Sequence, residues 1–403
     1  MSQKIPLFAQ SYINLAKAPM PHRQDTHLNT AAPLTCASLS VQRAVFELRC
    51  GRIVVVETAN GDRAVILAAE NVNEANLLAL KAFESGPLCI ALTQARAKAL
   101  NLPRSGDSAV LRLTLDAAVD VDTIARFADP LAPAPQAFYQ TDGLEATVAQ
   151  GFEHAAIGLV KIAYLLPTAL VLDLSALKIE NTQAWAKSHN ILTVEAEDVF
   201  KSERCAAQTL MRVSEAPVPL EDAEQARVIA YRPQDGGLEH LAIVIGDPQQ
   251  AEKPALIRIH SQCFTGDLLG SLRCDCGDQL RGAIRAIAKD GGGVLLYLAQ
   301  EGRGIGLVNK LRAYVLQDQG TDTLEANESL GFDADERVYL PAAFMLNDLG
   351  LKKVRLLTNN PAKVRALIKA KIEVIDRVEH AFPSNKHNET YLKTKKDKGG
   401  HLL

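Results

Sequence analysis

Between Cys263 and Gly277 the chain reads C-F-T-G-D-L-L-G-S-L-R-C-D-C-G, which sets three cysteines at a C-x10-C-x-C spacing. A closed structural metal cage normally uses four ligands. Three leave one position open, the arrangement in which protein zinc activates water. The alternative is a set of buried free thiols, since cysteine behaves as a small core residue. The neighbours Arg258, His260, Asp267, Arg273 and Asp275 favour the metal, because such groups are seldom buried without a partner.

Composition narrows the class. A chain of 403 residues suggests about two to three domains, and 47% hydrophobic content supplies ordinary cores. A net charge of −3 argues against a general nucleic-acid or membrane binder, so any polyanion must be small and locally held. The first residues lack the apolar core of a signal peptide, and no apolar run reaches the roughly 18 residues of a membrane span. Seven cysteines, an odd number, point to a reducing compartment, and a cytoplasmic protein is expected.

Residues 1–34 are polar and proline-containing, and read as an extension. From Ser38 the pattern alternates: a helix closed by Gly51, strands at Ile53–Val56 and Ala64–Leu67, a helix over Asn71–Phe83, a strand at Leu88–Leu92 and a helix over Thr93–Leu100. Further strands fall at Ala169–Leu172 and Ile191–Val194. Prolines 217, 219 and 233, with Gly236-Gly237, suggest a boundary between Val213 and Leu238. Strands at Leu241–Ile245 and Ala255–Ile259 then lead into the cysteine loop, and an amphipathic helix follows over Asp278–Lys289. Strand Val294–Leu298 precedes Q-E-G-R-G-I-G-L, and strand Val354–Leu357 precedes T-N-N-P-A-K. Either loop suits a phosphate at a helix start; a plain turn and a cap at Asn360 explain them as well. Alternating elements predict an α/β fold.

The segments R-I-H-S-Q-C-F-T-G-D, S-L-R-C-D-C-G, Q-E-G-R-G-I-G-L, N-K-L-R-A-Y, L-G-F-D-A-D-E-R and L-L-T-N-N-P-A-K closely resemble GTP cyclohydrolase II, the enzyme that opens riboflavin biosynthesis. The resemblance implies zinc on Cys263, Cys274 and Cys276, and GTP held by Arg258, Ile259, His260, Ser261, Gln262, Gln279, Glu301, Gly302, Arg303, Thr323, Thr358 and Lys363. It further implies Asp335 as proton acceptor, Arg337 as nucleophile or charge stabiliser at the α-phosphorus, Tyr314 as an aid to ring opening, Mg²⁺ on the triphosphate, and a homodimer. Two positions depart from the family pattern: Gln262 stands where glutamate is usual, and Ala299 where arginine is frequent.

Residues from about 40 to 213 resemble, more weakly, 3,4-dihydroxy-2-butanone-4-phosphate synthase, through V-Q-R-A-V-F-E-L-R-C-G-R-I-V-V-V, V-I-L-A-A-E and G-P-L-C-I-A-L-T-Q-A-R-A-K-A-L-N-L-P. The acidic loop of that family is reduced here to E-T-A-N-G-D-R-A, with Glu57 and Asp62. Its H-T-E metal motif falls on Phe152-Glu153-His154. The expected organisation is an extension (1–34), a degenerate synthase-like domain (35–215) and a cyclohydrolase domain (221–403). The alternatives are a bifunctional enzyme that keeps both chemistries and a GTP-binding regulator without turnover. A zinc-ribbon nucleic-acid binder fits least, lacking a second C-x2-C pair and a basic balance.

Overall fold

The computed structural model describes residues 36–102, 108–132, 146–149, 151–380 and 382. The extension 1–34 and the C-terminal G-H-L-L lie outside them. In the first half the elements run α1 (Cys36–Arg49), β1 (Val54–Glu57), β2 (Arg63–Ala68), α2 (Glu74–Lys81), β3 (Cys89–Thr93), α3 (Gln94–Ala99), β4 (Val110–Thr114), α4 (Val121–Ala128), β5 (Ala146–Val148), α5 (Gly151–Ile162), β6 (Thr168–Asp173), α6 (Thr182–Ser188), β7 (Leu192–Glu195) and α7 (Ala196–Gln208). The second half has β8 (Met211–Pro217), β9 (Ala226–Arg232), β10 (His240–Ile245), β11 (Ala255–Ser261), α8 (Cys276–Lys289), β12 (Gly293–Leu298), α9 (Leu307–Asp318), α10 (Thr323–Ser329), α11 (Leu340–Asp348), β13 (Lys353–Leu357), α12 (Pro361–Lys369) and β14 (Glu373–Val378).

Each half owns one seven-stranded sheet, in the orders β5-β4-β3-β6-β2-β1-β7 and β14-β13-β11-β12-β10-β9-β8. The first is antiparallel except where β1 meets β7. In the second, β14, β13, β11 and β12 run parallel and the rest antiparallel. The predicted α/β class holds. Ligand sites in parallel sheets form beyond the carboxyl ends of the strands, and the cysteine loop, the glycine loop and T-N-N-P follow β11, β12 and β13 in that position.

Local chemistry explains where the elements stop. Gly51, at φ 72°, closes α1 in the left-handed region that favours glycine. Helix α2 begins three residues later than its apolar pattern suggests. Asn71 is spent donating to the Leu48 and Arg49 carbonyls at the end of α1, while Asn73 and Asn76 form a reciprocal capping box. Asn360 caps α12 through its side chain, with Pro361 at the first helical position, as the sequence suggested.

The segment between Val213 and Leu238, where a boundary is expected, lies within the second sheet. Its prolines and glycines are hairpin turns: β8 pairs antiparallel with β9, and β9 with β10, inside the second sheet. The turnover point lies at Thr209-Leu210, after α7, so residues 211–215 belong with the second half. Edge strand β8 is exposed and carries Arg212 and Glu215, which tie to Asp348 and Arg227. Charge on an edge strand discourages pairing with another sheet.

The described residues of both halves belong to one compact unit, and one hydrophobic core runs through the join. Ile305, Ala313, Leu316, Ala326, Leu330 and Phe332 of the second half pack into the cluster built on Leu67, Ile90, Leu92, Leu111 and Leu170 of the first. Burying the four larger side chains contributes about 1.5–3 kcal/mol each before ordering costs. Polar ties surround this core. Thr93 Oγ1 donates to the Gly331 carbonyl (2.6 Å), Arg96 to that of Ser329 (2.8 Å), and Glu70 accepts from both the Leu166 amide (2.7 Å) and Arg312 (2.8 Å). The stretch from the glycine loop to α10 therefore rests on the first half.

Candidate active site

After β11 the chain makes one wide helical turn, Phe264–Leu268, that folds Cys263 back toward Cys274 and Cys276. Their sulfurs lie within 4.8 Å of one another, and those of Cys263 and Cys274 are 3.7 Å apart. Gly266 makes this approach possible. A Cβ there would stand 2.7 Å from Cys274 Sγ and 3.1 Å from Cys263 Sγ, closer than real side chains come. Hydrogen bonds from the other two thiols, helped by Lys310, pull the Cys263 thiol far below its ordinary pKa. The hydrogen bond to Cys263, with burial, in turn pushes Cys274 up to about 11, and hydrogen bonds to Cys263 and Cys274, with burial, put Cys276 well above its ordinary value. Three thiolates this close repel one another, and a cation among them offsets that repulsion. The donor set and its spacing fit zinc.

Asp267 orders Cys263 from behind. It accepts from the Cys263 amide (2.9 Å) and Tyr297 Oη (2.9 Å) and lies 3.0 Å from His260 Nε2. On the other side Lys310 Nζ donates to Cys263 Sγ (3.1 Å), Thr265 Oγ1 (2.8 Å) and Glu301 Oε1 (2.8 Å). Tyr314, one helical turn further along α9, has its hydroxyl 3.5 Å from Thr265 Oγ1, and Arg273 lies 4.9 Å from the ring centre. Burial pushes the Tyr314 phenol above its ordinary pKa.

Glu301 accepts from the Phe264 amide (2.6 Å) and opens the glycine loop. Gly302 and Arg303 both sit near φ 60°, and for arginine this left-handed conformation costs about 1–2 kcal/mol. Two contacts hold it there: the Glu336 amide donates to the Arg303 carbonyl (3.0 Å), and Arg303 Nη1 to that of Ala334 (3.3 Å). Gly304 lies so close to Glu336 that a Cβ would come within 2.9 Å of its backbone. Asp335, at the surface, and Arg337 form a bidentate pair at 2.7 and 2.5 Å. Desolvation by its neighbours raises the Asp335 pKa, yet Arg337 and Arg303 outweigh it and hold the carboxyl below its ordinary value.

The circuit closes through Tyr339. Arg337 and Lys363 stand 5.8 and 5.7 Å from its ring centre, and Lys363 Nζ donates to the Ile259 carbonyl (2.7 Å), four residues before Cys263. Arg258 is buried and reaches the Leu357 carbonyl (2.9 Å) and Gln279 Oε1 (2.5 Å). Burial lowers its pKa to about 10, so it stays charged at neutral pH. Thr358 accepts from the Asn360 amide at 3.0 Å. The Gln262 amide donates to the Leu298 carbonyl, and the Ala299 amide to His240 Nδ1. Arg258 Nε, His260 Nδ1, Ser261 Oγ and Tyr339 Oη are buried without a hydrogen-bond partner among the described residues. Such atoms are costly unless something else satisfies them.

The start of α9 lies against the first half. Gly306 faces the ring of Tyr164 from the first half, and Asn309 Nδ2 bonds the Tyr164 and Ile305 carbonyls. Thr323 stands at the first turn of α10, capped by Asp322, and no described contact joins it to the circuit. Lys310, Tyr297, Tyr339 and Glu336 are members that motif spacing does not single out.

Buried charge, a strained loop and convergent thiols at strand ends are the build of an α/β enzyme. Among known proteins, the family model described as GTP cyclohydrolase II matches residues 211–379, starting at the first residue of β8. A "GTP cyclohydrolase-2" of Azospirillum brasilense is 49% identical over 369 residues, covering 91% of this chain and 94% of the relative. The "Riboflavin biosynthesis protein RibBA" of Salinispora tropica is 36% identical over 402 residues, covering 90% and 98%. A crystal structure of RibBX, a two-domain 3,4-dihydroxy-2-butanone 4-phosphate synthase from A. baumannii, overlays with TM-score 0.34 and 17% identity, covering 85% of this chain and 99% of that one. The chain belongs to the GTP cyclohydrolase II family.

Proposed function

We propose that this chain hydrolyses GTP to 2,5-diamino-6-(5-phosphoribosylamino)pyrimidin-4-one, formate and pyrophosphate, the first committed step toward riboflavin. The observation that carries the reading is the closed circuit from Cys263 through Lys310, Glu301, Arg303, Asp335–Arg337 and Lys363 back to β11. When bound by Cys263, Cys274 and Cys276, zinc supplies a Lewis acid that makes water nucleophilic near neutral pH. Tyr314 keeps its proton at a position beside the thiols, suited to assisting the opening of the imidazole ring. Arg337, oriented by Asp335, offers a fixed guanidinium to the α-phosphate, with Mg²⁺ expected on the triphosphate. The unpartnered Arg258 Nε, His260 Nδ1 and Ser261 Oγ support nucleotide binding by this segment, with Ile259, Gln262, Gln279, Gly302, Thr323, Thr358 and Lys363 as further members.

A homodimer is part of the proposal. Phe264, Leu268, Leu269 and Leu272 on the cysteine loop, and Val308, Leu311 and Val315 along α9, are exposed apolar side chains beside the site. No helix among the described residues is long and apolar enough to cross a membrane. For the first half (proposed as 35–210, before a cyclohydrolase domain from 211) a fold without synthase chemistry is favoured. Two of its acidic residues are engaged structurally: Glu57 accepts from Thr182 (2.7 Å), and buried Glu153 pairs with Arg112. The relative with 49% identity spans this half and is named for the cyclohydrolase alone. Incubating the protein with GTP and Mg²⁺ should release formate in proportion to bound zinc, and Cys274→Ser should lose both. Formate release by the zinc-free variant would refute the metal assignment.

A further inference from the structure

We propose that Lys161, on helix α5 of the first half, is a positioning residue for the Asp335–Arg337 pair and acts through Glu336. The inference rests on the functional reading above and assigns the first half a part in the reaction of the second.

The three residues Asp335, Glu336 and Arg337 divide their work. Asp335 and Arg337 pair with each other toward Tyr339. Glu336 turns the other way, and its Oε1 accepts from Lys161 Nζ and the Asp333 amide, both at 2.7 Å. Its own amide donates to the Arg303 carbonyl, and its backbone fills the space that a Cβ on Gly304 would need. One residue thus fastens the segment to the glycine loop by its backbone and to the first half by its side chain. Lys161 also stands 3.4 Å from Asp333 Oδ2, so it grips both ends of the Asp333–Glu336 turn.

Charge and space make the ammonium necessary. Glu203, an exposed residue of α7, lines the same cavity as Glu336; desolvation by its neighbours first, then repulsion from Glu336, raises its pKa, and Lys161 offsets that repulsion. A cavity of about 470 Å³ lies between the halves, lined by Lys161, Glu203, Gly304 and Glu336 among others. Without the ammonium, Glu336 faces an acidic neighbour and has room to swing away, taking Asp335 and Arg337 with it. A displacement of about 1 Å at such groups costs on the order of a hundredfold in rate. An exposed ion pair with no such role would be worth little.

The test uses the full-length protein with Lys161→Met, Lys161→Arg, Lys161→Glu and the swap Lys161→Glu/Glu336→Lys. Formate release, zinc content and hydrogen exchange of the peptide covering 331–339 are measured on each. Lys161→Met is expected to lower kcat per bound zinc about ten- to hundredfold. KM for GTP should change by no more than about threefold, since the pair acts in the reaction rather than in binding. Exchange in the 331–339 peptide should speed up. Lys161→Arg should stay near wild type, and the swap should recover much of what Lys161→Glu loses. Unchanged exchange in Lys161→Met overturns the proposal whatever the enzyme turns over. So does a loss of thermal stability with kcat per zinc unchanged. Absence of formate from the wild-type protein would defeat the functional reading instead, and the exchange measurement would still decide whether Lys161 holds the segment.

Discussion

Replacing Lys310 by methionine tests the design of the site most directly. Lys310 is nearly buried, and its three hydrogen bonds go to Cys263 Sγ, Thr265 Oγ1 and Glu301 Oε1. Burial alone would lower its pKa; the Cys263 thiolate and Glu301 reverse that and hold it charged. Removing one partner of a buried ion pair costs about 3–5 kcal/mol, because the other charge is left uncompensated. Glu301 keeps the Phe264 amide at 2.6 Å and the Gly302 amide at 3.1 Å, which puts the expected loss at the lower end, about 3 kcal/mol. Adding Glu301→Gln removes the stranded charge, so the double variant should cost less than the sum of the singles by at least about 1 kcal/mol. Metal binding should suffer as well. Three thiolates and one divalent cation carry a net −1 that Lys310 neutralises, and loss of such a neighbour weakens a site about 10–100-fold. Urea unfolding of the zinc-free proteins and competition with a chelator give both quantities. A loss below about 1 kcal/mol with unchanged zinc affinity would mean that the ammonium is solvated and the circuit is broken there.

The other predictions concern the reacting groups and pH. Arg337→Ala should abolish or severely slow turnover with zinc retained, and Asp335→Asn should impair it; near-normal rates in both would reduce the pair to a surface turn. Tyr314→Phe should lower the formate yield without loss of fold, and because burial raises the phenol pKa above its ordinary 10, the acidic and neutral limbs of the two pH profiles should run parallel. His240 and His380, each lowered to about 4 chiefly by burial, take up protons in the unfolded chain first. Stability should therefore fall as pH drops from about 6.5 toward 4, by on the order of 2 kcal/mol for each histidine, and His240→Gln or His380→Gln should flatten that fall in urea midpoints.

Much of the second half was legible because its chemistry is local. The cysteine spacing, the strand before it and the Asn360-Pro361 cap depend on neighbours in sequence, and the structure reproduces them. The hairpin of β8 and β9 was not legible, since prolines and acidic turns look the same between domains and between strands. Glu336 and Tyr339 escaped for another reason. Glu336 meets a lysine 175 positions away, and Tyr339 meets Lys363 across a helix and a strand, a contact that no local periodicity reveals. The contact of Tyr164 with Gly306 and Asn309 at the start of α9 escaped as well, because it joins positions far apart in sequence with no motif in common.

The core that crosses the join also governs what happens if the chain is cut. Severed at Thr209, the second half would bare Ile305, Ala313, Leu316, Ala326, Leu330 and Phe332 together, a greasy face with no lid. Fragments of that kind do not stay single in water: they clump, or they trade elements with one another until the face is covered. The first half thus acts as a cover that its neighbour cannot shed and stay in solution.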